Sequence, residues 1–124
     1  MHETALVAHL LRRVVQEARA AGAARVMAVR LRVGEFAGVE PTLLEDAFQR
    51  QSAGTRADGA RLEIVAVPLE ALCDSCGHRF RVELFRFQCP TCGGCRTRVV
   101  AGEELDLESL AVTTEPEPSK VIIP

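Results

Sequence analysis

A chain of 124 residues can build one ordinary domain, or a modest domain that carries a small metal-stabilised one. Hydrophobic content of 48% points to a globular fold, and aromatics at 4%, with no Trp or Tyr, require an aliphatic core. A net charge of −2 removes any general electrostatic reason to expect nucleic acid or an anionic membrane as partner, and no apolar run approaches the roughly 20 residues of a membrane span.

From Thr4 to Ala21, Leu6, Leu10, Val14 and Ala18, with Val7, Leu11 and Val15, recur at helical spacing. Arg12 and Arg13 interrupt this stretch, so it does not read as a signal peptide. Gly22 marks the stop. Met27, Val29, Leu31 and Val33 then alternate with Ala28, Arg30 and Arg32, the period of a half-buried strand. Pro41 opens a second helix that runs to about Ser52, with Leu44, Ala47, Phe48 and Gln51 on one face. Arg61 to Val67 reads as a strand with Leu62, Ile64 and Ala66 facing one way, ended by Pro68.

Between Leu72 and about Ala101 the composition changes, and all five cysteines fall there. Gly102 precedes a last strand, in which Leu105 and Leu107 alternate with Asp106 and Glu108 before the phase slips at Ser109–Leu110. The expected fold is α+β: a small three-stranded sheet with two helices, plus an inserted zinc-ribbon-like four-cysteine module. Residues 1–70 and 103–113 would form the α/β domain and 71–102 the metal module. Residues 114–124, with their prolines, would be a loose tail.

Cys73-Asp-Ser-Cys76-Gly and Cys89-Pro-Thr-Cys92-Gly carry the strongest signal. Each C-x-x-C turn aims two sulfurs at one point, and the following Gly77 or Gly93 permits the positive φ that turns backbone N–H groups toward them. Two such turns complete a tetrahedral thiolate shell suited to Zn²⁺. Four thiolates saturate the ion, so the expected role is structural. Phe80, Val82 and Leu84 alternate between the pairs, over a length that suits a short hairpin. Cys95 is left over; it is a free thiol or an exchange partner for Cys92. Thiolate ligands suit a reducing compartment, hence the cytoplasm. No nucleophile–base–acid set or phosphate loop is present, so catalysis is not expected.

Met1-His2-Glu3 offers an amine, amide nitrogens and an imidazole in sequence, able to close fused chelate rings in the planar nitrogen geometry preferred by Ni(II) or Cu(II). Together with Val33-Gly34-Glu35, Val39-Glu40-Pro41, the two cysteine pairs and Gly102-Glu-Glu-Leu-Asp-Leu-Glu-Ser109, this segment makes the chain resemble the HypA/HybF family of nickel metallochaperones. The resemblance implies Ni(II) as transported cargo, bound by Met1, His2 and Glu3, with Glu40 at an acidic position near them. It implies a structural Zn²⁺ on Cys73, Cys76, Cys89 and Cys92. It also implies a hydrogenase large subunit as recipient, a maturation GTPase as partner, and urease as a further client. The rival reading is a zinc-ribbon nucleic-acid or transcription-associated module, which requires a basic, aromatic face on the metal module.

Overall fold

The computed structural model describes residues 3–114 and 119–124, in the order α1 (Glu3–Ala20), β1 (Arg25–Gly34), α2 (Pro41–Ser52), β2 (Arg61–Val67), β3 (Glu70–Cys73), β4 (Arg79–Arg81), β5 (Thr97–Ala101), β6 (Leu105–Thr113) and β7 (Ser119–Ile122). Helix α1 buries Leu6, Val7, Leu10, Leu11, Val14 and Ala18, the stripe that the periodicity requires. It ends because Gly22 adopts φ +69°, which lets Ala23 N–H reach the Ala18 carbonyl and Gly22 N–H the Arg19 carbonyl. That is the paired closure available to a helix whose first outside residue lacks a Cβ. Helix α2 has Pro41 at its first turn and buries Leu44, Ala47, Phe48 and Ser52. Gln51 is only half buried; its side-chain amide donates to the Thr4 carbonyl at 2.8 Å, tying α2 to the start of α1.

The helices accompany a four-stranded sheet of order β2-β1-β6-β7. Three of these strands are the expected ones; the fourth corrects the reading of the tail. Strand β7 pairs antiparallel with β6, from Leu110 opposite Ile122 to Thr113 opposite Ser119. The β-branched run Val121-Ile122-Ile123 favours an extended partner, and the prolines before it obscured that preference. Burial also departs from simple alternation. Met27 is 47% exposed, while Val26 and Ala28 are buried ahead of Val29, Leu31 and Val33. Val26 N–H donates to the Arg56 carbonyl, so the loop after α2 reaches this end of β1. In β2, Leu62 and Val67 are buried and Ala66 is exposed.

Val33–Ala37 and Ala66–Leu105 form a compact unit of their own, while the helices and most of the four-stranded sheet form the other. Within the smaller unit, β4, β3 and β5 make an antiparallel sheet, with Ala71 opposite both Phe80 and Val99. Leu69, Ala71, Cys73, Phe80, Val82 and Cys89 are its core. The hairpin expected between the cysteine pairs is absent, because β4 pairs back onto β3 and the chain then turns at Leu84 and Phe85.

Two glycines in this unit are set by close packing. A Cβ on Gly34 would collide with the carbonyl of Gly102, and a Cβ on Gly102, at φ +109°, would lie 2.5 Å from the Leu69 Cα. Gly34→Ala should therefore destabilise the unit by about 3 kcal/mol, since backbone on both sides must move. Gly38→Ala meets nothing within 4 Å and carries only a positive-φ penalty, of roughly 1–2 kcal/mol. Denaturant titration followed by circular dichroism compares the two; equal losses would contradict the packing explanation.

Candidate metal centre

The two cysteine turns are built alike. In the first, Gly77 N–H donates to the Cys73 carbonyl at 2.8 Å and Cys73 N–H to the His78 carbonyl at 2.9 Å. In the second, Gly93 N–H donates to the Cys89 carbonyl at 2.9 Å and Cys89 N–H to the Gly94 carbonyl at 3.0 Å. Gly77 and Gly93 have φ of 78° and 75°, the left-handed conformation that closes each turn. Strand β3 delivers Cys73 into the core, and Cys89 is equally buried, while Cys76 and Cys92 face outward. Each turn thus contributes one inner and one outer sulfur.

The four Sγ atoms lie within 4.8 Å of one another, with Cys73 to Cys92 and Cys76 to Cys89 both at 3.6 Å. A tetrahedron with metal–sulfur bonds of about 2.3 Å has edges of about 3.8 Å. The spacing therefore accepts one zinc ion, and no disulfide competes for the thiols. Cys95 is exposed, free and outside this cluster. His78 is also outside it, its ring stacked on Phe80 with centroids 6.2 Å apart.

Sequence reasoning missed Gly94. A Cβ there would lie 3.2 Å from the Cys92 sulfur and 3.8 Å from that of Cys73, and Gly94 N–H points at Cys92 Sγ from 3.4 Å. The Gly-Gly pair after Cys92 was the available signal: one glycine serves the turn and the other clears the sulfurs.

The thiols titrate unequally. The backbone N–H of Cys92 turned toward Cys89 outweighs burial and holds that thiol down at about 6. Cys73 is lowered in the same way, chiefly by the backbone N–H of Cys76. For Cys76 the backbone N–H of His78 favours the thiolate, but burial and the three neighbouring sulfurs prevail, and the thiol is pushed up to about 12. Cys92 is also raised, although the backbone N–H of Gly94 opposes the change, with its nearest sulfur, Cys73, the leading cause. A cation that takes all four sulfurs must displace protons chiefly from the two outer ones.

The basic face that the nucleic-acid reading requires of this module is partly neutralised. Arg98 meets Asp74 at 3.0 Å, Arg79 meets Glu70 at 2.6 Å and Arg81 meets Glu35 at 3.6 Å. Arg86 and Arg96 have no ion-pair partner among the described residues.

Of the expected nickel ligands, Met1 and His2 lie outside the described residues. Glu3 begins α1, and its Oε2 accepts a hydrogen bond from the backbone N–H of Glu40 at 3.2 Å. Glu40 is the N-cap of α2, its Oε1 accepting from Thr42 N–H at 3.1 Å. Two acids far apart in sequence are thus brought together where α1 and α2 begin. Among the described residues no helix is long and apolar enough to cross a membrane.

Residues 1–112 match a family model described as hydrogenase/urease nickel incorporation, metallochaperone, hypA. A hydrogenase maturation factor HypA from Nitrosospira multiformis is 43% identical over 114 residues, covering 92% of this chain and 99% of that protein. One from Roseiflexus sp. is 45% identical over 112 residues, covering 89% and 90%. Among solved structures, a solution structure of HypA protein superposes with a TM-score of 0.71 at 27% identity, covering 93% of this chain and 98% of that one. The solution structure of the Ni metallochaperone HypA from Helicobacter pylori gives 0.67 at 25%, covering 93% and 100%.

Proposed function

This chain belongs to the HypA family of nickel-incorporation metallochaperones, and we propose that it captures Ni(II) at its N-terminus and delivers it to the large subunit of a nickel–iron hydrogenase. The observation that carries this reading is the hydrogen bond from Glu40 N–H to the Glu3 carboxylate. It anchors the residue to which His2 is bonded beside a second acid, so the chelating segment departs from a fixed, anionic point. Met1 supplies the amine, His2 the imidazole and Glu3 its amide nitrogen; the Glu40 carboxylate lends negative charge from close by. Nitrogen donors in this order suit a planar site for Ni(II).

Cys73, Cys76, Cys89 and Cys92 would hold one Zn²⁺, whose binding energy supplements the small core of Leu69, Ala71, Phe80 and Val82. The ion has no open position, and its role is to hold the two turns together. Thiolate ligands of this kind suit a reducing compartment, and the cytoplasm is the proposed location. A maturation GTPase is the natural assisting partner, and urease a second client within the family's description. The nucleic-acid reading finds little support, since carboxylates already hold Arg79, Arg81 and Arg98.

The test is transfer itself. The nickel-loaded chain is mixed with purified large subunit lacking nickel, in the presence of excess chelator, and metal on the re-isolated subunit is measured. Transfer that survives the chelator supports direct delivery. Nickel uptake no better than from the free ion would refute it.

A further inference from the structure

Helix α1 begins at Glu3, so its first turn is the segment into which the proposed nickel ligands lead. A helix end holds itself poorly, because its first N–H groups have no partner within the helix and the terminal turn frays. Here that turn is held from outside. Glu40 N–H donates to the Glu3 carboxylate at 3.2 Å, and the Gln51 side-chain amide donates to the Thr4 carbonyl at 2.8 Å. The two contacts act on adjacent residues from opposite ends of α2, one from its N-cap and one from its last turn.

Of the two, the Gln51 contact bears directly on the main chain. Glu3 is gripped through its side chain, whose several rotatable bonds leave the backbone room to shift. Thr4 is gripped at its carbonyl, which has two lone pairs, one for the Ala8 N–H four residues on and one for Gln51. With Ala8, Leu11, Val15 and Thr55, Gln51 also lines a mostly apolar hollow of about 590 Å³ beside α1. An aliphatic side chain would suit such a lining equally well; the use of the amide is the carbonyl it reaches.

We infer that Gln51 is a positioning residue for nickel: by fixing the Thr4 carbonyl it keeps the first turn of α1 wound and the Glu3 amide nitrogen in place for the metal. This role rests on the proposed N-terminal nickel site, and it adds a residue outside the chelate that sets the affinity of that site. The Glu3 N–H lies in the first turn and has no partner within the helix, so a metal can take that nitrogen without breaking α1. A frayed turn would have to be ordered at the moment of binding. Fixing the backbone of one residue corresponds to about 5- to 30-fold in an equilibrium constant, and the Gln51 contact supplies that order beforehand.

Gln51→Met keeps the length of the side chain and its helix preference while removing the donor. Titration calorimetry with Ni(II), on zinc-loaded protein that starts at an unmodified Met1, should show affinity about 5- to 30-fold below native, with zinc content unchanged. In the metal-free variant, hydrogen exchange should quicken at Val7 and Ala8, whose N–H groups close the first turn onto Glu3 and Thr4, and stay native at Val14 and Ala18. Gln51→Lys returns a donor of similar reach and should recover part of the lost affinity. Val112→Ala, in the core of the larger sheet and outside both contacts, should lower the melting temperature yet bind nickel as the native protein does. Undiminished affinity in Gln51→Met overturns the positioning role, and so does a Gln51→Lys protein as weak as Gln51→Met. An equal loss in Val112→Ala overturns it too, by making the effect one of overall stability. If the native protein itself binds no nickel, the N-terminal site fails and the functional reading with it.

Discussion

A tag of several residues added before Met1 should abolish high-affinity nickel binding and leave zinc content unchanged. The extension keeps every side chain but moves the terminal amine out of reach of the His2 imidazole, which breaks the fused chelate. His2→Ala leaves the amine and removes the imidazole, and should be as damaging. Removing an outer partner of a metal ligand already costs about 10–100-fold in affinity, so losing a direct ligand should exceed the upper figure. Glu40→Gln keeps an N-cap acceptor but removes a nearby charge, and its effect should stay within the outer-partner range. Backbone amides bind nickel only after losing protons, so affinity should fall as pH falls, more steeply than imidazole protonation alone requires. Titration calorimetry on the native, extended and substituted proteins measures all of this. An extended protein that binds nickel as tightly as the native one would dispose of the N-terminal site.

Cys89→Ser should empty the zinc site and unfold the smaller unit while the helices stay folded. Cys89 is one of the two inner sulfurs, so its loss removes a ligand and places a hydroxyl among Leu69, Ala71 and Val82. Structural zinc contributes on the order of 10 kcal/mol or more in small modules, well beyond what six core residues supply here. The larger unit has its own buried core, including Leu31, Leu44, Phe48 and Leu110. Hydrogen exchange should therefore show protection lost across residues 66–105 and retained in α1 and α2. The native site should also bind zinc more tightly as pH rises, because Cys76 and Cys92 carry raised pKa values and must release protons. As pH falls through about 6, Cys89 also takes up a proton and the decline steepens. Full zinc content in the serine variant, or equal loss of protection in both units, would count against this division.

The legibility of the site in the sequence depended on how local its chemistry is. Cys73-x-x-Cys76-Gly and Cys89-x-x-Cys92-Gly each complete their geometry within five residues, so spacing alone predicted the turns and the positive φ at Gly77 and Gly93. The helix stripes were legible for the same reason, since a 3.6-residue period needs no information from elsewhere in the chain. The phase of β1 was less so. Whether Met27 or Val26 is buried depends on the loop that brings the Arg56 carbonyl onto β1.

By itself, the sequence determined two helices, three strands of the larger sheet and the four clustered sulfurs. Tertiary structure alone decided the rest. It placed β7 against β6, a pairing between separate segments. It packed Gly34 onto Gly102, where a neighbour distant in sequence makes a Cβ intolerable, and it brought the Cys73 sulfur as well as that of Cys92 up to Gly94. It also brought Glu3 to Glu40, and left Leu84, which alternates with Phe80 and Val82 in the segment expected to form a hairpin, exposed beside Phe85 on a turn of positive φ. The physical division is one of range. Periodicity, capping and ligand spacing act over a few residues, whereas burial, close approach and the meeting of distant acids exist only once the chain has packed.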